Sequence, residues 1–348
     1  MRQLFSSLIL LLSLSMVSTT AFSADKFKAC WSHYTGWEAW GYADNQGILK
    51  KWADKYGIEI EMTLINDYVE SINLYTAGQY DACTMTNMDA LTIPSVGGVD
   101  STALIIGDYS NGNDGIVAKG INSLAALKGR EIMLVELSVS HYLLARALDS
   151  AGLSERDVKL VNTSDADIAS IFITTPDAVT VTWNPPLQQV RNTKEATLLF
   201  DSSKTPGEIL DLMVVRTDTD ERFKKALVGA WYETLGHLTA GGKKADAAIT
   251  YMAKSSGATV AEFKSQLKTT KLFPDPKQAV MIAENQQIKQ TMEHVRKFSF
   301  DKGLFGQGAA SVDFVGILFP DKTVLGSKRN IKLRFDSQFM KMAEQGSL

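Results

Sequence analysis

The chain has 348 residues, 45% hydrophobic and 22% charged, with a formal net charge of −3. That composition supplies a sizeable core and fits two domains or one large one. A chain so close to neutral, with no basic arm, excludes a nucleic-acid footprint.

The first 23 residues read as an export signal. Arg2 gives the positive start, residues 4–17 are an apolar run diluted by serines, and Ala21-Phe22-Ser23 places small residues where a signal peptidase reads. The run is too short to span a bilayer, and no cysteine follows it, so neither an anchor nor a lipid is expected. Cys30 and Cys83 fall in expected buried strands. Export permits a disulfide. Neither cysteine sits in a loop that needs a staple, so two buried thiols are expected. The histidines His33, His141, His237 and His294 are scattered without zinc-ligand spacing, and no metal or cofactor is expected.

Residues 30–52 are the most distinctive stretch. A short strand opens into a loop carrying Tyr34, Gly36, Trp37 and Trp40, and a helix is expected from Tyr42. Strands follow over 58–65, 80–86 and 102–107, with a helix over 68–77 and another capped by Asp89. Strand–helix alternation through residue 107 argues for a parallel sheet covered by helices. Residues 108–115 (DYSNGNDG) are a polar break without the spacing of a calcium loop, and read as a crossover. A second α/β unit follows, with strands over 116–119, 131–136, 158–161, 178–183, 197–200 and 210–216. From Glu221 the chain turns helical, over 222–239, 243–255, 260–268 and 276–298. A helix or turn is expected over 313–319 and an amphipathic helix over 331–344.

Ligands of open α/β sheets sit beyond the carboxyl ends of strands. Those ends carry Tyr34 and Trp37; Asp67; Asn87 and Asp89; Asp108; Glu136 and Ser138; and Trp183. The set is aromatic and acidic, with no Lys or Arg, which favours a small cationic or amide-rich ligand over an anion. Each residue also has a plainer reading. Asp67 can be a turn former, Asp89 a helix cap, Glu136 a carboxylate near a helix start, and Trp183 core. No G-x-S-x-G, phosphate loop, dinucleotide glycine pattern or Cys–His pair supports catalysis.

The ordered set Gly47-Ile-Leu, Ala77-Gly-Gln-Tyr-Asp-Ala82, Ile116-Val-Ala-Lys119, Ile121-Asn-Ser-Leu-Ala-Ala-Leu-Lys-Gly129, Val181-Thr-Trp-Asn-Pro185 and Leu212-Met-Val-Val-Arg216 resembles the solute-binding proteins of ABC importers. The branch is that of nitrate, sulfonate and taurine, and the likeness covers most of residues 26–240. Within it, Trp31-Ser-His-Tyr-Thr-Gly-Trp-Glu-Ala-Trp40 is similar to a subgroup associated with urea and guanidine. The resemblance implies a type II periplasmic binding protein fold, α/β, with a helical C-terminal region. Lobe I would comprise 24–108 plus 217–348, and lobe II 109–216, with a ligand cleft between them. It implies a monomer in the periplasm that hands a small solute to a membrane permease. Tyr34, Trp37 and Trp183 would wall the ligand; Asp67, Asp89 and Glu136 would accept from it; Asp108 would lie at the hinge. Glu136 departs from anion-binding members and argues against nitrate, sulfonate and taurine. The alternatives are an anion-binding protein, or an enzyme of the thiamine-precursor type using His33 or His141.

Overall fold

A computed structural model describes residues 24–348; the expected signal segment lies outside the described residues. Among the described residues, fourteen strands run in chain order as β1 (Asp25–Trp31), β2 (Ile58–Leu64), β3 (Ala82–Thr86), β4 (Ser101–Ser110), β5 (Asp114–Lys119), β6 (Glu131–Leu134) and β7 (Lys159–Asn162). They continue as β8 (Val179–Trp183), β9 (Ala196–Asp201), β10 (Leu210–Arg216), β11 (Thr270–Leu272), β12 (Gly316–Leu318), β13 (Val324–Leu325) and β14 (Ile331–Phe335).

They form two sheets. The first has the order β13-β12-β14-β4-β10-β3-β1-β2, with β11 also on β4; the second has the order β7-β6-β8-β5-β9. β1 pairs in parallel with β2 and β3, as strand–helix alternation requires. β10 runs antiparallel between β3 and β4, so the first sheet is mixed. The chain therefore passes between sheets twice, from β4 to β5 and from β9 back to β10. Ser110 and Ser202 tie the two passages together, their Oγ atoms 2.6 Å apart. The core of the first sheet is continuous with part of the second; Val117, Ile168, Phe172 and Leu187 form a smaller cluster under the second sheet.

Several expectations are corrected. Leu210–Arg216, placed by sequence in the 109–216 unit, is a central strand of the first sheet. Ile331, Leu333 and Phe335 alternate with polar residues, and this period of two makes 331–335 a strand; the last helix is only Gln338–Glu344. Gly316–Leu318 is likewise strand. The expected helix 276–298 breaks at Asn285, whose side chain caps a second helix by accepting from Ile288 N at 3.0 Å.

Cys30 and Cys83 are bonded to each other rather than free. They are register partners on the adjacent parallel strands β1 and β3, with Cα atoms 4.5 Å apart. Neighbouring strands, not a loop, supply the approach a disulfide needs. The bond closes a loop with a sequence separation of 53. Chain-entropy arguments assign such a loop about 4 kcal/mol. The double variant Cys30→Ser, Cys83→Ser should lose roughly 2–4 kcal/mol in urea unfolding; an unchanged midpoint would show that the bridge contributes little.

Candidate functional site

Both passages between the sheets carry carboxylates. Asp108 lies near the end of β4, Asp114 opens β5, and Asp211 is near the start of β10; all three are buried. Asp211 is the register partner of Asp108 on one side and of Thr86 on the other. Like charges directly opposite on neighbouring strands repel. Burial pushes the Asp108 carboxyl up to about 7. Burial, and then the charge of Asp108, push Asp211 well above the carboxylate range. Asp114 rises to about 7, again chiefly through burial. A proton held between Asp108 and Asp211 relieves their repulsion.

The aromatic loop closes over this cluster. Tyr34 OH donates to Asp108 Oδ1 at 2.8 Å. Gly36 makes the approach possible: a Cβ there would lie 2.3 Å from Asp108 Oδ2. From Tyr34 the rings run through Trp37 and Tyr68 to Trp183, with successive centroids 4.9, 5.7 and 5.4 Å apart. Tyr34, Trp37 and Tyr68 come from the first sheet, and Trp183 ends β8 of the second, opposite Asp114. Trp183 Nε1 donates to His33 O at 3.2 Å, bonding across the gap. Trp40 is core instead, stacked on Trp231 at 5.0 Å.

These groups enclose a cavity with no more than about 230 Å³ of atom-free space. Its walls are Tyr34, Trp37, Tyr68 and Trp183, with Asp114 and Asp211 as their charged members. Thr86 and Val139 complete the lining. Only about 10 Å³ of it is open to the centre of a water molecule, so as it stands the pocket admits about one water, and a guest of a few heavy atoms requires the aromatic walls to part. No lining residue is Lys or Arg. Asp108 Oδ2 and Asp211 Oδ2 are buried and take no hydrogen bond from another residue type, as a proton shared between the two carboxyls requires. Among the described residues, no group of three or more His, Cys, Asp or Glu side chains is placed to hold a metal ion.

Of the residues expected from sequence, Tyr34, Trp37 and Trp183 line the cavity and Asp108 stands behind Tyr34. The others do not line it. Asp67 caps the helix Tyr68–Thr76, accepting from Glu70 N at 2.9 Å, and takes a second bond from Ser164 Oγ at 2.9 Å. Asn87 ties β3 to the return passage, accepting from Leu210 N at 3.0 Å and donating to Glu208 O at 3.1 Å. Ser138 caps the helix Val139–Ser150, accepting from Ser140 N. Glu136 is partly exposed, and its backbone N donates to Asn162 Oδ1 at 3.0 Å. With Glu136 off the wall, the argument against anions that rested on it falls. Asp89 is buried next to the cavity rather than on its wall, and accepts from Tyr68 OH at 2.6 Å and Thr86 Oγ1 at 2.9 Å. His33 pairs with Glu38 at 2.6 Å and His141 with Glu155 at 3.1 Å; neither lines the cavity.

Sequence reasoning missed Asp114, Asp211, Tyr68 and Thr86. Asp114 and Asp211 open strands that enter the site antiparallel, so a rule built on carboxyl ends passes over them. The DYSNGNDG break did hold the signal: acids flanking a crossover, which the second crossover repeats in Ile209-Leu-Asp211.

Comparison with known proteins agrees with this architecture. A family model described as NMT1/THI5 like matches residues 47–218. No curated protein matches the sequence. Among solved structures, the chain is similar to the alkanesulfonate-binding protein SsuA from Xanthomonas axonopodis pv. citri, determined bound to MOPS. The TM-score is 0.67 at 16% identity, covering 82% of this chain and 96% of that one. SsuA from Escherichia coli gives 0.65 at 16%, over 82% and 95%. The periplasmic nitrate-binding protein NrtA from Synechocystis PCC 6803 gives 0.58 at 11%, over 93% and 99%. The chain has the periplasmic binding protein fold.

The carboxyl cluster predicts an unusual pH response. Asp108 titrates near 7 when folded and near 3.8 when unfolded. Between those values the folded state holds a proton that the unfolded chain has lost, so this contribution to stability is lost as pH rises through 7. Asp108→Asn keeps an acceptor for Tyr34 and removes the repulsion with Asp211. It should raise the Tm at pH 8 by a few degrees and change it little at pH 5, read by calorimetry. A lower Tm at both pH values would mean that the pair is not repulsive.

Proposed function

We propose that the protein is the solute-binding component of an ABC importer, acting outside the cytoplasm, and that its solute is a small donor-rich cation of the guanidinium type. Urea, which offers similar donors without the charge, is the next candidate. The observation that carries this reading is a closed cavity walled by indole and phenol rings, backed by buried carboxyls, with no basic residue. Guanidinium is planar and permanently charged. It can stack on Trp37 or Trp183 while its N–H groups meet Asp211 and Asp114. Both sheets contribute to the wall, so such a guest would hold them together, the state that a membrane permease would recognise.

The size of the guest bounds the affinity. At about −1.5 kcal/mol per heavy atom, four heavy atoms give about −6 kcal/mol, a dissociation constant of tens of micromolar. Tighter binding needs fully desolvated ion pairs, which this cavity could supply.

A second reading has its own support. The solved relatives are named for alkanesulfonates and nitrate, and they favour an anionic solute. Carboxyls titrating near 7 can be neutral in mild acid and then donate to an anion. The two readings differ in sign. A cation displaces protons, so below pH 7 its binding should tighten about tenfold for each unit rise in pH per proton released. An anion needs those protons and should tighten as pH falls. Calorimetric titration of guanidinium, urea, methanesulfonate and nitrate at pH 5.5, 6.5 and 7.5 separates them. Guanidinium strengthening at least tenfold over that range is expected; methanesulfonate or nitrate strengthening toward pH 5.5 would overturn the cation reading. Asp211→Asn should weaken guanidinium at least tenfold, while Glu136→Gln should leave it within twofold.

A further inference from the structure

Just outside the cavity wall, the Asp89 carboxylate is only half satisfied. This residue sits on the short helix Asn87–Ala90 that follows β3, and it is fully buried. Oδ2 is saturated by Tyr68 OH and Thr86 Oγ1, whereas Oδ1 has no hydrogen-bond partner in the protein. Facing this carboxylate is the N–H of Val139. Val139 is the first residue of the twelve-residue helix Val139–Ser150, which belongs to the second sheet and lines the cavity. The neighbouring N–H groups of that helix are already used: Ser140 N donates to Ser138 Oγ, and His141 N to Ser138 O. The first N–H remains, at the positive end of the helix dipole, where an anion is stabilised.

We infer that Asp89 is a tethered anion: its carboxylate, carried by the first sheet, fills the anion position at the N-terminus of a second-sheet helix and bars free anions from it. Asp89 is then a specificity-determining residue that acts without touching the solute. The Tyr68 and Thr86 hydroxyls spend their donor capacity on a built-in carboxylate, and the Val139 N–H faces it. A sulfonate entering the cavity finds this helix end taken and faces Asp114 and Asp211 besides. The inference rests on the cation reading of this site and explains how a fold shared with sulfonate binders would exclude their ligands.

The test pairs a variant with a measurement on the native protein. Asp89→Ser keeps a small polar group beside Tyr68 and frees the helix end. By calorimetry at pH 7.5, methanesulfonate should bind this variant at least tenfold more tightly than it binds the native chain. In the native chain, the Val139 amide proton shift should titrate between pH 5 and 7.5, and this response should vanish in Asp89→Asn. That control is needed because Asp114 and Asp211 line the same cavity, Asp165 lies near Tyr68, and His141 is on the same helix. A flat Val139 amide overturns the inference, as does a folded Asp89→Ser protein with no gain for methanesulfonate while native protein prefers guanidinium. If Asp89→Ser does not fold, the native Val139 titration decides alone. Native protein binding methanesulfonate more tightly than guanidinium overturns the barring role together with the cation reading, an outcome distinct from failure of the variant alone.

Discussion

Three carboxyl groups are buried side by side where the chain passes between its two sheets, and no basic side chain lines the cavity they back. Such a cluster costs stability, because each group has lost its water and two of them face each other across neighbouring strands. The structure limits the cost in three ways. Tyr34 OH donates to Asp108 and Ser110 Oγ to Asp114, with Ser202 Oγ holding Ser110 in place. Protons stay bound well above the ordinary carboxylate range. The aromatic loop keeps bulk water out. None of this resembles what a fold chooses for stability alone, since well-packed apolar side chains in the same place would serve better. Groups held in so unfavourable a state mark a functional site with a physical rationale.

The location of the cluster links chemistry to motion. Asp108 and Asp114 flank the first passage, and Asp211 ends the second, so the strands that connect the sheets are the strands that carry the charge. A guest engaging Asp114 and Asp211 would therefore act on the connection itself. The cavity is divided between sheets in the same way, with Tyr34, Trp37 and Tyr68 on one side and Trp183 and Val139 on the other. Bonds already cross the gap, among them Trp183 Nε1 to His33 O, Ser164 Oγ to Asp67, and Tyr68 N to Asp165. A solute can shift the balance between open and closed arrangements only through its differential affinity for them. A cavity whose wall exists only when the sheets approach provides that difference.

Much of this was legible in sequence, for identifiable reasons. The aromatic loop stood out because Tyr34, Trp37 and Gly36 follow directly on a strand, where side chains project into a cleft. Trp183 stood out because Asn184-Pro185-Pro186 breaks the strand behind it. The acidic residues were read less well. Asp67 and Glu136 fit the strand-end rule, yet Asp67 spends itself on Glu70 N at the start of its helix, and Glu136 is partly exposed. Asp211 has the environment that Glu136 lacks, but nothing local in Leu210-Asp-Leu-Met-Val-Val reveals that its strand crosses between two others. The disulfide was missed for the same reason. Cys30 and Cys83 become neighbours only through the pairing of β1 with β3, a non-local fact.

Fold and ligand need separate arguments here. A TM-score of 0.67 at 16% identity shows that two chains place their strands alike, and identity that low leaves the side chains of the cleft free to differ. Here the helix Val139–Ser150 starts at the cavity wall, and a helix N-terminus on its own favours an anion. The wall opposite carries Asp211 and Asp114, with Asp89 behind it, all of the sign the helix would attract. The backbone and the side chains thus pull in opposite directions, and the charges decide by proximity. A dipole end amounts to about half a charge, whereas each ionised carboxylate brings a full one at similar range. Above the pH at which those carboxyls ionise, the cavity is electrostatically negative whatever the fold would prefer.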